Sequence, residues 1–139
     1  MPAKNLYHDA VRVALIADGW TITADPLRIT VGQRKLFVDL AADEDTIGAE
    51  RAGQRIAVEV QSFLSESDID DLHHAVGQFV VYRIFLNRAE PGRKLYLAVP
   101  EGVYDGIMSE TIGQLLMAEV LLHLLVFDPI EKRVVRWTS

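Results

Sequence analysis

The chain has 139 residues, half of them hydrophobic, about a quarter charged and none of them cysteine. One domain with a full core is the expectation over 1–139, and disulfides and thiolate metal sites are excluded. The formal net charge of -6, from 14 basic and 20 acidic residues, counts against a protein that holds nucleic acid by a broadly basic face.

Residues 4–18 carry Leu6, Tyr7, Val11, Ala14 and Leu15 at helical spacing, with Gly19 as the stop. Trp20-Thr21-Ile22-Thr23 is a short strand in β-branched and aromatic residues, broken by Asp25-Pro26. Leu27–Val31 and Lys35–Ala41 flank Gly32-Gln33-Arg34 and predict a hairpin. Residues 43–53 predict a helical turn or short helix ending at Gly53. Arg55–Phe63 alternates and is the clearest strand. Ser65-Glu66-Ser67-Asp68 offers caps and early acids for a helix reaching about Asn87, with Ile69, Leu72, Val76, Phe79, Val80, Arg83 and Ile84 as its apolar stripe. Lys94–Val99 is a buried strand, Val103–Met108 and Thr111–Met117 are short helices, and Leu121–Phe127 and Val134–Thr138 are two strands about a turn. The fold class is α/β, a mixed β-sheet flanked by helices. The long helix allows a parallel crossover between Arg55–Phe63 and Lys94–Val99.

No uncharged apolar run is long enough to span a membrane; Leu115 to Phe127 is interrupted by Glu119 and His123. The opening residues lack the apolar core of a signal peptide, so a cytoplasmic protein with no membrane partner is expected. The same apolar run exceeds what a small core obviously needs, and a homodimer or partner surface is one use for it.

Two acids stand out. Asp39 sits in Phe37-Val38-Asp39-Leu40 and Glu59 in Ile56-Ala57-Val58-Glu59-Val60-Gln61, each inside an apolar strand-like run. Carboxylates are costly to bury unless they meet a cation or a reacting group. Asp39, Glu59 and a backbone carbonyl near Val60 form a hard oxygen set suited to Mg²⁺ and phosphodiester chemistry; the plainer reading is two solvated strand acids. Asp25, Glu50 and His8 are further candidates, His8 only if the first helix packs beside the pair. Asp25 before Pro26 suits an Asx-type turn. His73 and His74, about 100° apart on a helix, read as surface residues. His123 is expected to face a sheet surface, and Trp20 and Trp137 to lie in core or interface.

The order α-β-β-β-α-β with Asp39 and Glu59-x-Gln61 resembles the PD-(D/E)XK, restriction-endonuclease-like superfamily. A closer resemblance runs through nearly the whole chain. It is carried by Met1-Pro2-Ala3-Lys4, Leu15-Ile16-Ala17-Asp18-Gly19-Trp20, Thr23-Ala24-Asp25-Pro26-Leu27, Val38-Asp39-Leu40, Ala57-Val58-Glu59-Val60-Gln61-Ser62-Phe63, Gly77-Gln78-Phe79 with Tyr82-Arg83, Leu95 to Pro100, Ile112 to Leu116, and Val126-Phe127-Asp128-Pro129. In these blocks the chain resembles the XisH family, fdxN-element excision controlling factors best known from cyanobacteria. The resemblance implies an accessory factor for excision of a DNA element, acting beside a site-specific recombinase and a small XisI-type protein, with DNA as a further partner. It implies metal-binding carboxylates at Asp39 and Glu59, and a water- or phosphate-positioning role for Gln78. The usual family motif is Glu-Val-Lys-Ser-Phe, and Gln61 stands at its Lys. Gln61 keeps a donor and an acceptor but loses the charge that would face the phosphorane. The alternative is an inactive adaptor that binds the XisI-type partner or the recombinase.

Overall fold

A computed structural model of the chain describes residues 6–44 and 53–138. Ala10, Val11, Ala14 and Leu15 are buried along one side of α1 (His8–Ala17); Val11, Ala14 and Leu15 are in the stripe the spacing predicts, whereas Leu6, ahead of the helix, is 71% exposed. Gly19, at φ +93°, then turns the chain into β1 (Trp20–Ala24). β2 (Leu27–Val31) and β3 (Arg34–Val38) form the expected hairpin, closed by a two-residue turn in which Gly32 takes φ +61°.

The predicted second hairpin strand, 35–41, does not run through. It is cut at Asp39, and Leu40 starts β4 (Leu40–Glu44), which joins another sheet. Asp43 and Glu44, expected to open a helical turn, extend this strand; the rest of that expectation, residues 45–52 with Glu50, lies outside the described residues. β5 (Arg55–Val60) ends three residues before Phe63. α2 (Asp68–Ala89) follows, with the Ser67 hydroxyl accepting the Asp70 amide at 3.2 Å and Asp68, Asp70 and Asp71 in its first turn. Then come β6 (Arg93–Pro100), α3 (Glu101–Asp105), a 3₁₀ turn at Ile107–Ser109 and α4 (Thr111–Val120). Leu121 caps α4 at φ +60°, so the last apolar run is split: Leu121 is 64% exposed, and β7 (Leu124–Asp128) starts three residues later than expected. β8 (Arg133–Thr138) pairs back onto it.

The main sheet has six strands in the order β1-β4-β5-β6-β7-β8, and β2-β3 stands apart. β5, β6 and β7 are parallel to one another, and the other neighbours are antiparallel. This is a mixed α/β fold, and α2 links the parallel strands β5 and β6 as the sequence allows. Alternation along β5 and β6 feeds two cores. Ala57, Leu95, Leu97 and Val99 pack with Leu72, Ala75 and Phe79 of α2 and with Ile29 and Val38 of the hairpin. Ile56, Val58, Val60, Tyr96 and Ala98 pack with Val11 and Leu15 of α1. The α2 stripe is displaced from expectation: Ile84 is 55% exposed and Leu86 takes the buried position instead. Among the described residues, no helix is long and apolar enough to cross a membrane.

At the lower ends of β4, β5 and β6 the buried Arg93 acts as a clasp. It donates to the carbonyls of Ala42 (3.4 Å) and Ile56 (2.9 Å) and to the carboxylates of Asp43 and Glu90 (both 3.1 Å).

Two glycines in helices should respond oppositely to alanine. A Cβ at Gly113 would lie 2.5 Å from the Ile107 carbonyl oxygen and the Met108 Cα, backbone that cannot swing away. Gly77 meets nothing within 4 Å. Gly113→Ala is expected to cost about 1–3 kcal/mol, and Gly77→Ala to gain about 0.4–1 kcal/mol by restricting the unfolded chain. Urea unfolding of both variants checks the signs.

Candidate functional site

The register of β4 on β5 builds the site. Leu40 pairs with Val58, so Asp39, one residue before β4, comes level with Glu59, one residue beyond Val58. Each carboxylate then reaches the other strand's backbone. The Asp39 amide donates to Glu59 Oε1 at 3.0 Å, and the Val60 amide donates to Asp39 Oδ2 at 2.8 Å. One oxygen of each acid is engaged in this exchange with backbone, and the two side chains also bond each other.

Glu59 points to the α2 side of the sheet, in step with Ala57. It is 7% exposed, as are Gln61 and His8. Burial, and after it the charge of Asp39, push the Glu59 carboxyl from 4.5 to about 9. A neutral Glu59 beside Asp39 is what an acid pair adopts when no cation compensates it.

Gln61 lies beyond the end of β5. It is buried, and its side-chain amide donates to Gln78 Oε1 on α2. Its backbone amide bonds the Ala98 carbonyl at 2.8 Å. Gln78 also bonds Tyr82, whose hydroxyl is raised by burial and then by the charges of Glu59 and Asp39. Tyr82 is therefore a site residue that motif reading passed over. The signal was present, since Gln78 and Tyr82 are four apart and share one face of α2.

His8 does approach the pair, because α1 packs beside β1. Its Nδ1 lies 4.0 Å from Asp39 Oδ1, and its Nε2 lies 2.7 Å from Asp25 Oδ1. Arg12, four residues on, donates to Asp25 Oδ2 at 2.5 Å. The Asp25-Pro26 bond is cis, and the Asp25 carboxylate is bonded to α1 rather than closing an Asx turn, which corrects the sequence expectation. Arg12 was missed, although its spacing from His8 marks it. Asp39, Glu59, Gln61, Gln78, Tyr82, His8 and Asp25 thus form one connected cluster.

The other candidates stand elsewhere. His73 and His74 are exposed. His123 precedes β7 and packs against the Phe79 and Tyr96 rings at 5.9 and 5.6 Å, its Nδ1–H donating to the Leu95 carbonyl at 3.2 Å. Burial lowers its pKa. Among the described residues no group of three or more His, Cys, Asp or Glu has the disposition of a metal site, so a cation at Asp39 and Glu59 needs backbone or water oxygens to complete its shell. Val60, whose carbonyl is the expected third ligand, is buried and directly follows Glu59, with its amide bonded to Asp39.

A matching family model, described as XisH protein, covers residues 1–135. Two solved structures resemble the chain over almost all of its length. An XisH family protein from Nostoc punctiforme is 38% identical, with a TM-score of 0.88, over 97% of this chain and 100% of that one. An fdxN element excision controlling factor protein from Anabaena variabilis is 40% identical, with a TM-score of 0.86, over 98% of this chain and 100% of that one. No protein of curated function matches.

The raised Glu59 carboxyl sets a pH dependence. The folded state holds a proton that the unfolded chain releases near 4.5, so this contribution to stability is complete below pH 4.5 and is lost as pH rises towards 9. In EDTA, Glu59→Gln is expected to gain on wild type in calorimetric Tm steadily across that window and to be equal to it near pH 4. Parallel curves would contradict the assignment.

Proposed function

The chain belongs to the XisH family, and from that premise we propose that it is an accessory factor for excision of a DNA element, with a restriction-endonuclease-like core and a Mg²⁺-dependent phosphodiesterase site at Asp39 and Glu59. The observation that carries this reading is the reciprocal exchange between the two acids and the two backbone amides, which holds a pair of carboxylates together in a buried place where Glu59 is driven to about 9. An acid pair so placed is stabilised by a divalent cation, and carboxylate with carbonyl oxygen is the donor chemistry Mg²⁺ takes. Asp39 and Glu59, with the Val60 carbonyl, would hold it. Bound there, the cation supplies Lewis-acid polarisation of a phosphate oxygen and acidification of water.

The protein's own groups do the positioning. The Gln61–Gln78–Tyr82 chain sets donors and acceptors beside Glu59 and can orient the attacking water or a phosphate oxygen. In hydrolysis the water oxygen bonds phosphorus, the bridging P–O bond breaks, and a proton goes to the leaving oxygen. His8, held by Asp25, braces Asp39 from α1.

A second reading is favoured by the neutral Gln61–Gln78 pair, which occupies the place of a Lys, and by the net charge of -6. In it the chain is an adaptor that keeps the acids and binds an XisI-type small protein or the recombinase, with or without a second copy of itself.

Calorimetry with Mn²⁺ or Mg²⁺ and nicking of supercoiled plasmid separate the two. Wild type is expected to bind a cation and nick; Asp39→Ala is expected to do neither while remaining folded. If wild type neither binds nor nicks, the enzyme reading fails. The adaptor reading is then tested by whether a co-expressed XisI-type protein co-purifies with the chain. Gln61→Lys is expected to raise nicking by about tenfold, the effect of ~1.4 kcal/mol of added transition-state charge stabilisation.

A further inference from the structure

At the opposite ends of β4 and β5 from Asp39 and Glu59, the α1 side of the sheet carries a cavity of about 550 Å³. Its origin is geometric. The six-stranded sheet curls until its two edge strands approach, with the Trp20 ring of β1 and the Trp137 ring of β8 only 5.6 Å apart, and α1 packs against both edges. Among the described residues α1 is the helix packed on this face. Its C-terminal end reaches the rim of the cavity at Asp18.

Aromatic rings floor the cavity. Trp20 of β1, Tyr96 of β6 and Trp137 of β8 meet there, with Trp20 and Trp137 centroids 5.6 Å apart and Tyr96 and Trp137 centroids 5.0 Å apart. Its rim is acidic: Asp18, at the end of α1, and Glu44, at the end of β4, line it with Gln54. Asp18 is held in place by the Trp20 indole N–H, which donates to its Oδ2 at 3.3 Å. Glu44 is exposed. Among the described residues the cation against these rings is the chain's own Lys94, with its ammonium 5.4 Å from the Tyr96 centroid. Among the described residues, two carboxylates against one ammonium leave the rim with a net negative charge.

We propose that this cavity receives an arginine side chain presented by a protein partner. A planar guanidinium stacks on Trp and Tyr faces and forks onto carboxylates, which is the combination of surfaces present here. The volume lies within the roughly 300–1,000 Å³ of small-ligand pockets. A nucleotide is disfavoured, because its phosphates would meet the acidic rim. Free arginine is disfavoured for the same reason, since it carries its own carboxylate, whereas an arginine within a peptide does not. The acidic chain as a whole favours encounter with a basic partner. The site is separate from the Asp39–Glu59 cluster and stands whether or not that cluster cuts DNA.

The molecule carries its own probe, because Trp20 and Trp137 are both tryptophans of the chain. Titration of the whole protein with N-acetyl-arginine methylamide is expected to give a saturable change in tryptophan fluorescence below about 50 mM, the range of a single side chain. The neutral citrulline analogue and free L-arginine are expected to bind at least about fivefold more weakly, and Glu44→Gln to weaken the arginine amide by about fivefold at unchanged Tm. Asp18→Asn provides a second rim variant with the same expected direction. No saturable change, equal binding of the citrulline analogue, tighter binding of free arginine, or indifference to both rim substitutions would each overturn the proposal.

Discussion

The exchange of carboxylate and amide between Asp39 and Glu59–Val60 is the constraint on which the upper end of this molecule depends. Two strands at this point would ordinarily share backbone hydrogen bonds. Here each backbone amide is given to an acid of the opposite strand. The exchange satisfies buried N–H groups, draws two carboxyl groups together, and ends the pairing of β4 with β5. It also explains why the chain leaves the hairpin at Asp39: the residue that breaks one sheet begins the site in the other.

The lower end is closed by opposite means. Arg93 brings a buried cation to carbonyls and carboxylates from β4, β5 and the turn before β6. Its charge is compensated on the spot, so it reads as structural. Among the described residues the acid pair has no such cation, and the cost appears as the proton kept by Glu59. The α1 helix couples the two ends: its first turn carries His8 to Asp39, and its last residue leads into Asp18 and the aromatic cavity.

Much of this was legible residue by residue. The Ser67 cap, the apolar stripe of α1, the Gly32 turn and the alternation in β5 are local signals, and the elements formed where they predict. Asp39 and Glu59 were legible as charges out of place in apolar runs. Gln78, given by the family resemblance, is placed against Gln61. Tyr82 and Arg12 were not singled out, although each lies one helical turn from a candidate. What misled was length along the chain. The apolar runs 35–41 and 121–127 looked continuous, and the breaks at Asp39 and Leu121 come from a change of sheet and from a left-handed cap, neither of which apolar patterning records. Ile84 matched the helical stripe yet faces outward, because the direction of burial on a long helix depends on what packs against it.

The sequence by itself determined the period and ends of most elements, the excess of acid, the two strand carboxylates and the membership of a family, because these depend on neighbours within a few residues or on the order of residue types. Only the tertiary structure decided that Asp39 and Glu59 bond each other's strands, that Gln61 is buried against Gln78, that His8 reaches the pair, and that Trp20, Tyr96 and Trp137 floor one cavity. Each of these joins residues 17 or more apart in the chain through strand register and helix packing, and register is set by which faces bury together rather than by any one segment.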